Sequence, residues 1–170
     1  FYNCENLKEI NIPTEIEYIG DYAFRGCQSL ENEIVIPEGV SEIGRYAFSD
    51  CYLLSAIHLP SNLEYISEGL LNDCKNLRKI ILSKGIVSIG PFAFSGCAVS
   101  EIFIPDSVKS ISKNAFEKML NLKKINIPDS VIKIGDFAFY GCTYLTSVVI
   151  PDSVTEIGES SFYNCVNLKS

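Results

Sequence analysis

The sequence predicts a mixed α/β fold, mostly β, in which the chain winds into a solenoid of stacked coils. The main observation is a repeat of about 23 residues that runs through all 170 positions. The shared frame is L-x-x-I-x-I-P-x-x-V-x-x-I-G-x-x-A-F-x-x-C-x-x, and its named positions are almost all apolar or turn-forming. A repeat of this length cannot bury its apolar side alone, so successive copies stack and share one continuous core.

Seven copies of the frame cover the chain, at 7–29, 30–53, 54–76, 77–98, 99–121, 122–144 and 145–167. The second copy has one extra residue near Asn32-Glu33, and the fourth lacks one near Ala98. Partial repeats stand at both ends of the sequence. We therefore expect residues 1–170 to form a single solenoid domain that is a segment of a longer array.

Each repeat opens with a short segment that alternates inward and outward side chains, which predicts a first strand. These segments are 10–12, 34–36, 57–59, 80–82, 102–104, 125–127 and 148–150. Proline follows in six of the seven repeats and cannot donate to a strand ladder, so it is expected to end the strand. A later V-x-x-I pair of branched residues predicts a short second strand.

The third part of the repeat changes its spacing. Ile19, Ala23, Cys27 and Leu30 follow one another at helical intervals, which predicts one or two turns of helix on the convex side. Glycine or serine stands where this helix would begin, as an N-cap. Glycine, asparagine or aspartate usually precedes the cysteine, which predicts a left-handed residue at the end of the helix.

All seven cysteines occupy one position of the frame, and Met119 takes that position in the fifth repeat. A position that accepts methionine behaves as apolar core, so a ladder of free, buried thiols is the favoured interpretation. Disulfides between adjacent coils and a metal site are the alternatives, although a single file of thiols supplies few converging ligands. The sequence predicts no cofactor and no metal.

The composition limits the class of partner. A hydrophobic fraction of 47% with 21% charged residues is typical of a folded globular chain. The net charge of −7 argues against nucleic acid as a partner, since its phosphates would be repelled. No apolar run approaches the ~20 residues that a membrane-spanning helix needs, so no membrane span is expected in this segment.

The repeats at 122–142 (LKKINIPDSVIKIGDFAFYGC) and 145–165 (LTSVVIPDSVTEIGESSFYNC) resemble the BspA-like leucine-rich repeat, also called the Treponema pallidum type. The resemblance covers the whole chain, with local departures at Ser83, Leu70-Leu71 and Met119. It implies a right-handed leucine-rich repeat solenoid with its main parallel sheet on the concave face. It also implies a surface-exposed or secreted protein of bacteria or protists, linked to adhesion and without shared catalytic residues.

The outward positions of the first strands form the main candidate site. A row of largely apolar side chains with a charged rim predicts a protein-binding patch on the concave face. The predicted site residues are Val35, His58, Arg78, Lys79, Ile81, Glu101 and Phe103. The alternative is that apolar residues occur there only because strands favour them.

Aromatic residues of the third segment are a second candidate surface. They are Tyr22, Tyr46, Phe92, Phe137, Tyr140 and Tyr163. Aromatic ridges can bind sugars or partner proteins, but packing over the edges of adjacent coils is the favoured interpretation.

The sequence predicts a non-enzymatic protein. His58 is the sole histidine, its neighbours on the strand face are apolar, and no P-loop, HExxH or CxxC motif occurs. The predicted function is a protein-binding module, a fragment of a bacterial or protist cell-surface adhesin that recognises host or cell-surface protein. The alternatives are a structural spacer without a ligand and a carbohydrate-binding surface; self-association through uncapped ends is a further option.

Overall fold

A computed structural model describes residues 1–169 as a stack of coils built from short parallel strands. No helix occurs within these residues. The strands are β1 Tyr18–Ile19, β2 Asn32–Val35, β3 Glu42–Ile43, β4 Leu54–His58, β5 Tyr65–Ile66, β6 Lys79–Ile81, β7 Ser88–Ile89, β8 Glu101–Ile102, β9 Ser110–Ile111, β10 Lys124–Ile125, β11 Lys133–Ile134 and β12 Glu156–Ile157. Each pairs in parallel with a neighbouring coil, so the predicted solenoid is confirmed.

The first strands of the repeats follow one another along the stack in a set called here the first ladder, which is interrupted once. Its strands are β2, β4 and β6 in one sheet and β8 and β10 in another. The register shifts between Asn32 and Glu33, where the second repeat carries its extra residue. The break between the two sheets lies beside the shortened repeat near Ala98.

Two of the predicted first strands, at 10–12 and 148–150, are not strands in the structure. Both lie in the outermost coils of the stack. Each has a neighbouring coil on one side only, and such one-sided pairing is enough for β1 and β12 of the same coils but not for these two segments.

The predicted second strands are confirmed, and they form the second ladder. Strands β5, β7, β9, β11 and β12 make a five-stranded sheet, and β1 pairs with β3. The isoleucines at the ends of these strands stand in register from coil to coil, as Ile66, Ile89 and Ile111 show. Branched side chains therefore stack along the core.

The predicted short helix is wrong, and the segment forms a third ladder of turns instead. The N–H groups of Tyr22, Phe24 and Gly26 donate to carbonyls of the next coil at 2.8 to 2.9 Å. The N–H groups between them bond three residues back in their own coil. Because alternate peptide groups point along the stack, the i to i−4 bonds of an α-helix cannot form.

This alternation puts two residues of each turn segment in the left-handed region. The residue before the cysteine is left-handed, as predicted, for example Asp50 (φ 60°) and Gly96 (φ 72°). The second left-handed position was not predicted, and in four coils it holds a bulky aromatic residue: Tyr22, Tyr46, Phe92 and Phe137. Such a conformation costs about 1–2 kcal/mol for a residue with a side chain.

The glycines predicted as helix N-caps have another role. A Cβ on Gly44 would lie 2.4 Å from the backbone nitrogen of Asp21 in the preceding coil. The glycine therefore permits close approach of two backbones, as glycine does at tight contacts. Asp21 also helps to hold the two coils together, since its carboxylate accepts a hydrogen bond from the N–H of Arg45 at 2.7 Å.

The core contains stacked phenylalanine rings. Neighbouring rings lie 5.0 to 5.5 Å apart and nearly parallel at Phe24–Phe48, Phe94–Phe116, Phe116–Phe139 and Phe139–Phe162. Leu71 is fully buried at the same position of the third repeat. Identical side chains thus fill a continuous core that runs the length of the stack.

The cysteines form a second line of contacts beside the rings. Six of them, from Cys27 to Cys165, are buried with free thiols, and Cys4 is exposed. Each buried thiol donates to the carbonyl of a phenylalanine-column residue one coil back, as Cys51 does to Phe24 at 3.3 Å and Cys97 to Leu71 at 3.0 Å. Cysteine at this position therefore supplies both a small apolar volume and a donor.

We predict that the buried thiols are unreactive in the folded protein. Burial raises the pKa of Cys51 and of Cys142 to about 12, so both stay protonated at mildly alkaline pH, and only the thiolate reacts. Titration with a thiol reagent should modify Cys4 at once and the other six only after urea is added. Rapid modification of Cys51 or Cys142 in the folded protein would contradict this arrangement.

We predict that Gly69→Ala destabilises the fold. Gly69 has φ +59°, and a Cβ would lie 2.1 Å from the Tyr46 ring, so the substitution combines backbone strain with overpacking. We expect a loss of about 2–4 kcal/mol in the free energy of unfolding, measured in urea. The matched control is Gly85→Ala, whose Cβ would make ordinary contacts of 3.4 Å or more and should change stability little. Equal losses of stability in the two variants would contradict a specific role for Gly69, because replacing any glycine would then have the same effect.

Candidate protein-binding face

The outward side of the first ladder, called here the strand face, carries the predicted site residues. Val35, His58 and Ile81 are in register on β2, β4 and β6, and Phe103 directly follows β8. Val35, Ile81 and Phe103 are 63%, 52% and 72% exposed, while their neighbours along the strands are buried. The structure therefore places these four residues in one row facing solvent.

His58 is less solvated than a lone histidine on a sheet would suggest. Its side chain is 33% exposed, and its Nε2 contacts the carboxylate of Glu33 on the adjacent strand. Ala56, which opposes Glu33 in the ladder, is nearly buried and leaves room for this contact. The two polar side chains thus lie side by side and interrupt the apolar row.

The residue after Phe103 takes part in a side-chain bridge that the sequence did not predict. The Asn126 side chain accepts a hydrogen bond from the N–H of Ile104 at 2.8 Å and donates to its carbonyl at 2.9 Å. The amide thus satisfies both main-chain groups of the residue after Phe103, as another strand would. An asparagine at an outward strand position can be recognised in the sequence, but its hydrogen bonds to Ile104 depend on how the two repeats stack.

A shallow depression of about 530 Å³ lies beside Phe103. Glu101, Lys124, Asn126 and Ser147 also border it, so its rim is polar and one side is aromatic. Most ligand sites are concave and combine apolar area with a few polar groups. Because this depression is open to solvent, it offers a partner a shallow contact surface and not an enclosed pocket.

The charged rim lies on the side of the row where the strands begin. Glu101 and Lys124 face each other at 3.8 Å, and Arg78 donates to the Asn76 side chain at 3.2 Å. These groups and Lys79 are exposed. Exposed ion pairs contribute about 0–1 kcal/mol to stability, so the rim charges are not required by the fold.

The aromatic residues of the turn segment pack on one another, as the favoured interpretation expected. The rings of Tyr22 and Tyr46 stack at 5.7 Å, and the Tyr46 ring covers Gly69 of the next coil. The Arg25 guanidinium lies 5.6 Å from the Tyr46 ring centre. Tyr140 and Tyr163 also stack at 5.7 Å. These contacts offset part of the conformational cost of the left-handed backbone at Tyr22 and Tyr46.

Within residues 1–169, no helix is long and apolar enough to cross a membrane. In the same residues, no three histidine, cysteine or acidic side chains converge as a metal ion would require.

The chain belongs to the BspA-type leucine-rich repeat family, since the model of that repeat region matches residues 1–123 and 109–170. Its structure is similar to a leucine-rich repeat protein of Treponema pallidum, with 30% identity and a TM-score of 0.87, over 94% of this chain and 77% of that one. A leucine-rich repeat protein of Eubacterium ventriosum is 31% identical with a TM-score of 0.72, over 79% of this chain and 37% of that one. The chain thus spans little more than a third of the Eubacterium protein.

A more distant relative shares the fold. The pneumococcal vaccine antigen PcpA is 21% identical with a TM-score of 0.61, over 96% of this chain and 56% of that one. A search of proteins with curated functions found no match. The comparisons therefore establish the family and the solenoid fold.

We predict that Asn126→Ala lowers stability by about 1–3 kcal/mol. The substitution leaves the N–H and carbonyl of Ile104 without their side-chain partner, and an unsatisfied main-chain group is costly. The matched control is Asn11→Ala at the same position of the first repeat, where the side chain is exposed. The free energy of unfolding of both variants is measured in urea. Equal stability of the two variants would contradict the bridging role of Asn126.

Proposed function

We propose that this chain is a non-catalytic protein-binding module of a cell-surface adhesin, which recognises its partner through the strand face. The observation that supports this most strongly is the row of exposed apolar side chains at Val35, Ile81 and Phe103. Exposed apolar groups with a polar rim are typical of interaction sites.

The energetics of the row favour a macromolecular partner. Covering a side chain such as Phe103 contributes about 1.5–3 kcal/mol, so a few of these residues supply much of a micromolar affinity. The strands that carry Val35 and Ile81 are hydrogen-bonded to neighbouring coils, so little main-chain entropy is lost on binding. A hydrogen-bonded, partly apolar face is suited to a protein surface.

A surface location forms part of the proposal. The T. pallidum repeat protein belongs to the same family, and two structural relatives are described as a leucine-rich cell surface protein of Faecalibacterium prausnitzii and as a pneumococcal vaccine antigen. These last two proteins share the fold with this chain at low sequence identity, and their surface and antigen roles are properties of those proteins. They support the proposal that this chain also acts outside the cell.

The test is a binding assay against a panel of immobilised host matrix proteins, with Ile81→Asp/Phe103→Asp beside the native chain. Each aspartate places a charge where the partner's apolar surface would rest, so affinity should fall at least about tenfold. The matched control is Val87→Asp/Ile132→Asp, which makes the same change at exposed apolar residues beside the second ladder. Circular dichroism should show that both variants remain folded.

Three outcomes decide the proposal. Saturable binding that is lost in Ile81→Asp/Phe103→Asp and kept in the control supports the strand face. Equal binding by the native chain and that variant overturns this site. Absence of binding from the folded native chain overturns the adhesive role and supports a structural spacer.

A further inference from the structure

The strand face carries a local charge opposite to that of the chain. Arg78, Lys79, Lys123 and Lys124 occupy adjacent outward positions of the fourth and sixth repeats, with Glu101 between them in the fifth. This gives four cations against one carboxylate in a chain whose net charge is −7. These five side chains are called here the basic rim.

The basic rim lies directly beside the apolar row. Lys79 lies two residues before Ile81 on β6, Arg78 directly precedes that strand, and Lys124 borders the depression next to Phe103. Arg78 and Lys123 also line one cleft of about 340 Å³, together with Ser100 and Asn121. A ligand that covers Phe103 and Ile81 would therefore come within reach of several cations at once.

The cations of the basic rim are only partly compensated within the protein. Lys124 faces Glu101 at 3.8 Å with both groups largely exposed, and Arg78 bonds the neutral Asn76 amide. Across residues 1–169 the structure records no ion pair for Lys79 or Lys123. On the second ladder, by contrast, Lys133 meets Glu156 at 2.7 Å. The rim thus has charge available for a partner's carboxylates.

We propose, building on the proposed function, that the occupant of the strand face is an acidic protein segment. Its carboxylates pair with Arg78, Lys79 and Lys123, and an apolar side chain between them packs on Phe103 and Ile81. Carboxylates bind arginine with two hydrogen bonds and meet lysine as a point charge, so both kinds of cation serve this ligand.

The apolar row distinguishes a protein from other polyanions. A sulfated polysaccharide or a nucleic acid backbone would pair with the cations but would leave Val35 and Ile81 without an apolar partner. The acidic surface beyond the rim would also repel a long polyanion, whereas a short acidic segment can stay within the rim. Complementary charge further speeds association and discriminates against basic partners.

The experiment uses fluorescence anisotropy with three labelled peptides of equal length. The first alternates glutamate with leucine, the second lysine with leucine, and the third glutamate with serine. We expect the first peptide to bind the native chain and the other two to bind at least about tenfold more weakly. Raising the salt concentration should weaken the first peptide's binding, because the rim is exposed to solvent.

Charge neutralisation provides the matched variants. Arg78→Gln/Lys123→Gln should weaken binding of the glutamate–leucine peptide about five- to tenfold. Lys84→Gln/Lys109→Gln makes the same change in net charge at exposed cations away from the rim and should leave the affinity unchanged. An equal loss in both variants overturns the rim as the site, since only the overall charge would then matter.

The remaining outcomes also decide the inference. Equal affinity for the lysine–leucine peptide overturns charge recognition. Displacement of the bound peptide by heparin or single-stranded DNA at lower concentration overturns a protein segment as the occupant. If no peptide binds while the matrix-protein assay still detects binding that is lost in Ile81→Asp/Phe103→Asp, the acidic partner is excluded and the proposed function stands.

Discussion

The structure depends on one constraint, which is that each coil must satisfy its main-chain hydrogen bonds on the next coil. Strands can do this in parallel ladders spaced about 4.8 Å apart. The turn segment does it by rotating alternate peptide groups along the stack, as at Tyr22, Phe24 and Gly26. Two left-handed residues per coil follow from that rotation. The need for glycine at Gly44 also follows, because its backbone closely approaches that of Asp21 in the preceding coil. A repeat frame of nearly fixed length results, and the extra residue near Asn32-Glu33 is accommodated by a local register shift in the first ladder.

Several recurring side chains serve this same constraint. The cysteine thiols donate to carbonyls one coil back, and the serines of the Pro-Asp-Ser turns do likewise, as Ser130 does to Val108 at 2.7 Å. Asn126 bridges both main-chain groups of Ile104. The repeated polar positions therefore complete the hydrogen bonding of a stack whose main chain alone would leave gaps. Apart from Asn126, the outward strand positions are the part of the frame that these hydrogen bonds do not explain.

The sequence predicted those features that depend on spacing alone. The solenoid, the second ladder and the irregularity at Asn32-Glu33 all follow from the repeat and its period. The helix was predicted wrongly because Ile19, Ala23 and Cys27 have helical spacing, while the direction of their peptide groups is set by the neighbouring coil. The same reasoning applies to the strand face. Period two predicts the row from Val35 to Phe103, whereas the Glu33–His58 contact and the cleft between Arg78 and Lys123 depend on side chains from different repeats.

The break in the first ladder bears on how this face could bind. Ile81 belongs to the sheet of β2, β4 and β6, whereas Phe103 follows β8 of the separate pair. Ile81 and Phe103 therefore stand on either side of the break, with Arg78 and Lys79 before it and Glu101 after it. Main-chain hydrogen bonds hold each side firmly, but the strands across the break do not form a common ladder. A partner seated on both Ile81 and Phe103 would bridge the two sheets, so its binding energy would act where the first ladder has no strand pairing of its own. The second ladder still joins these two coils through β7 and β9, so such a partner would complete on the strand face a connection that the core side already has.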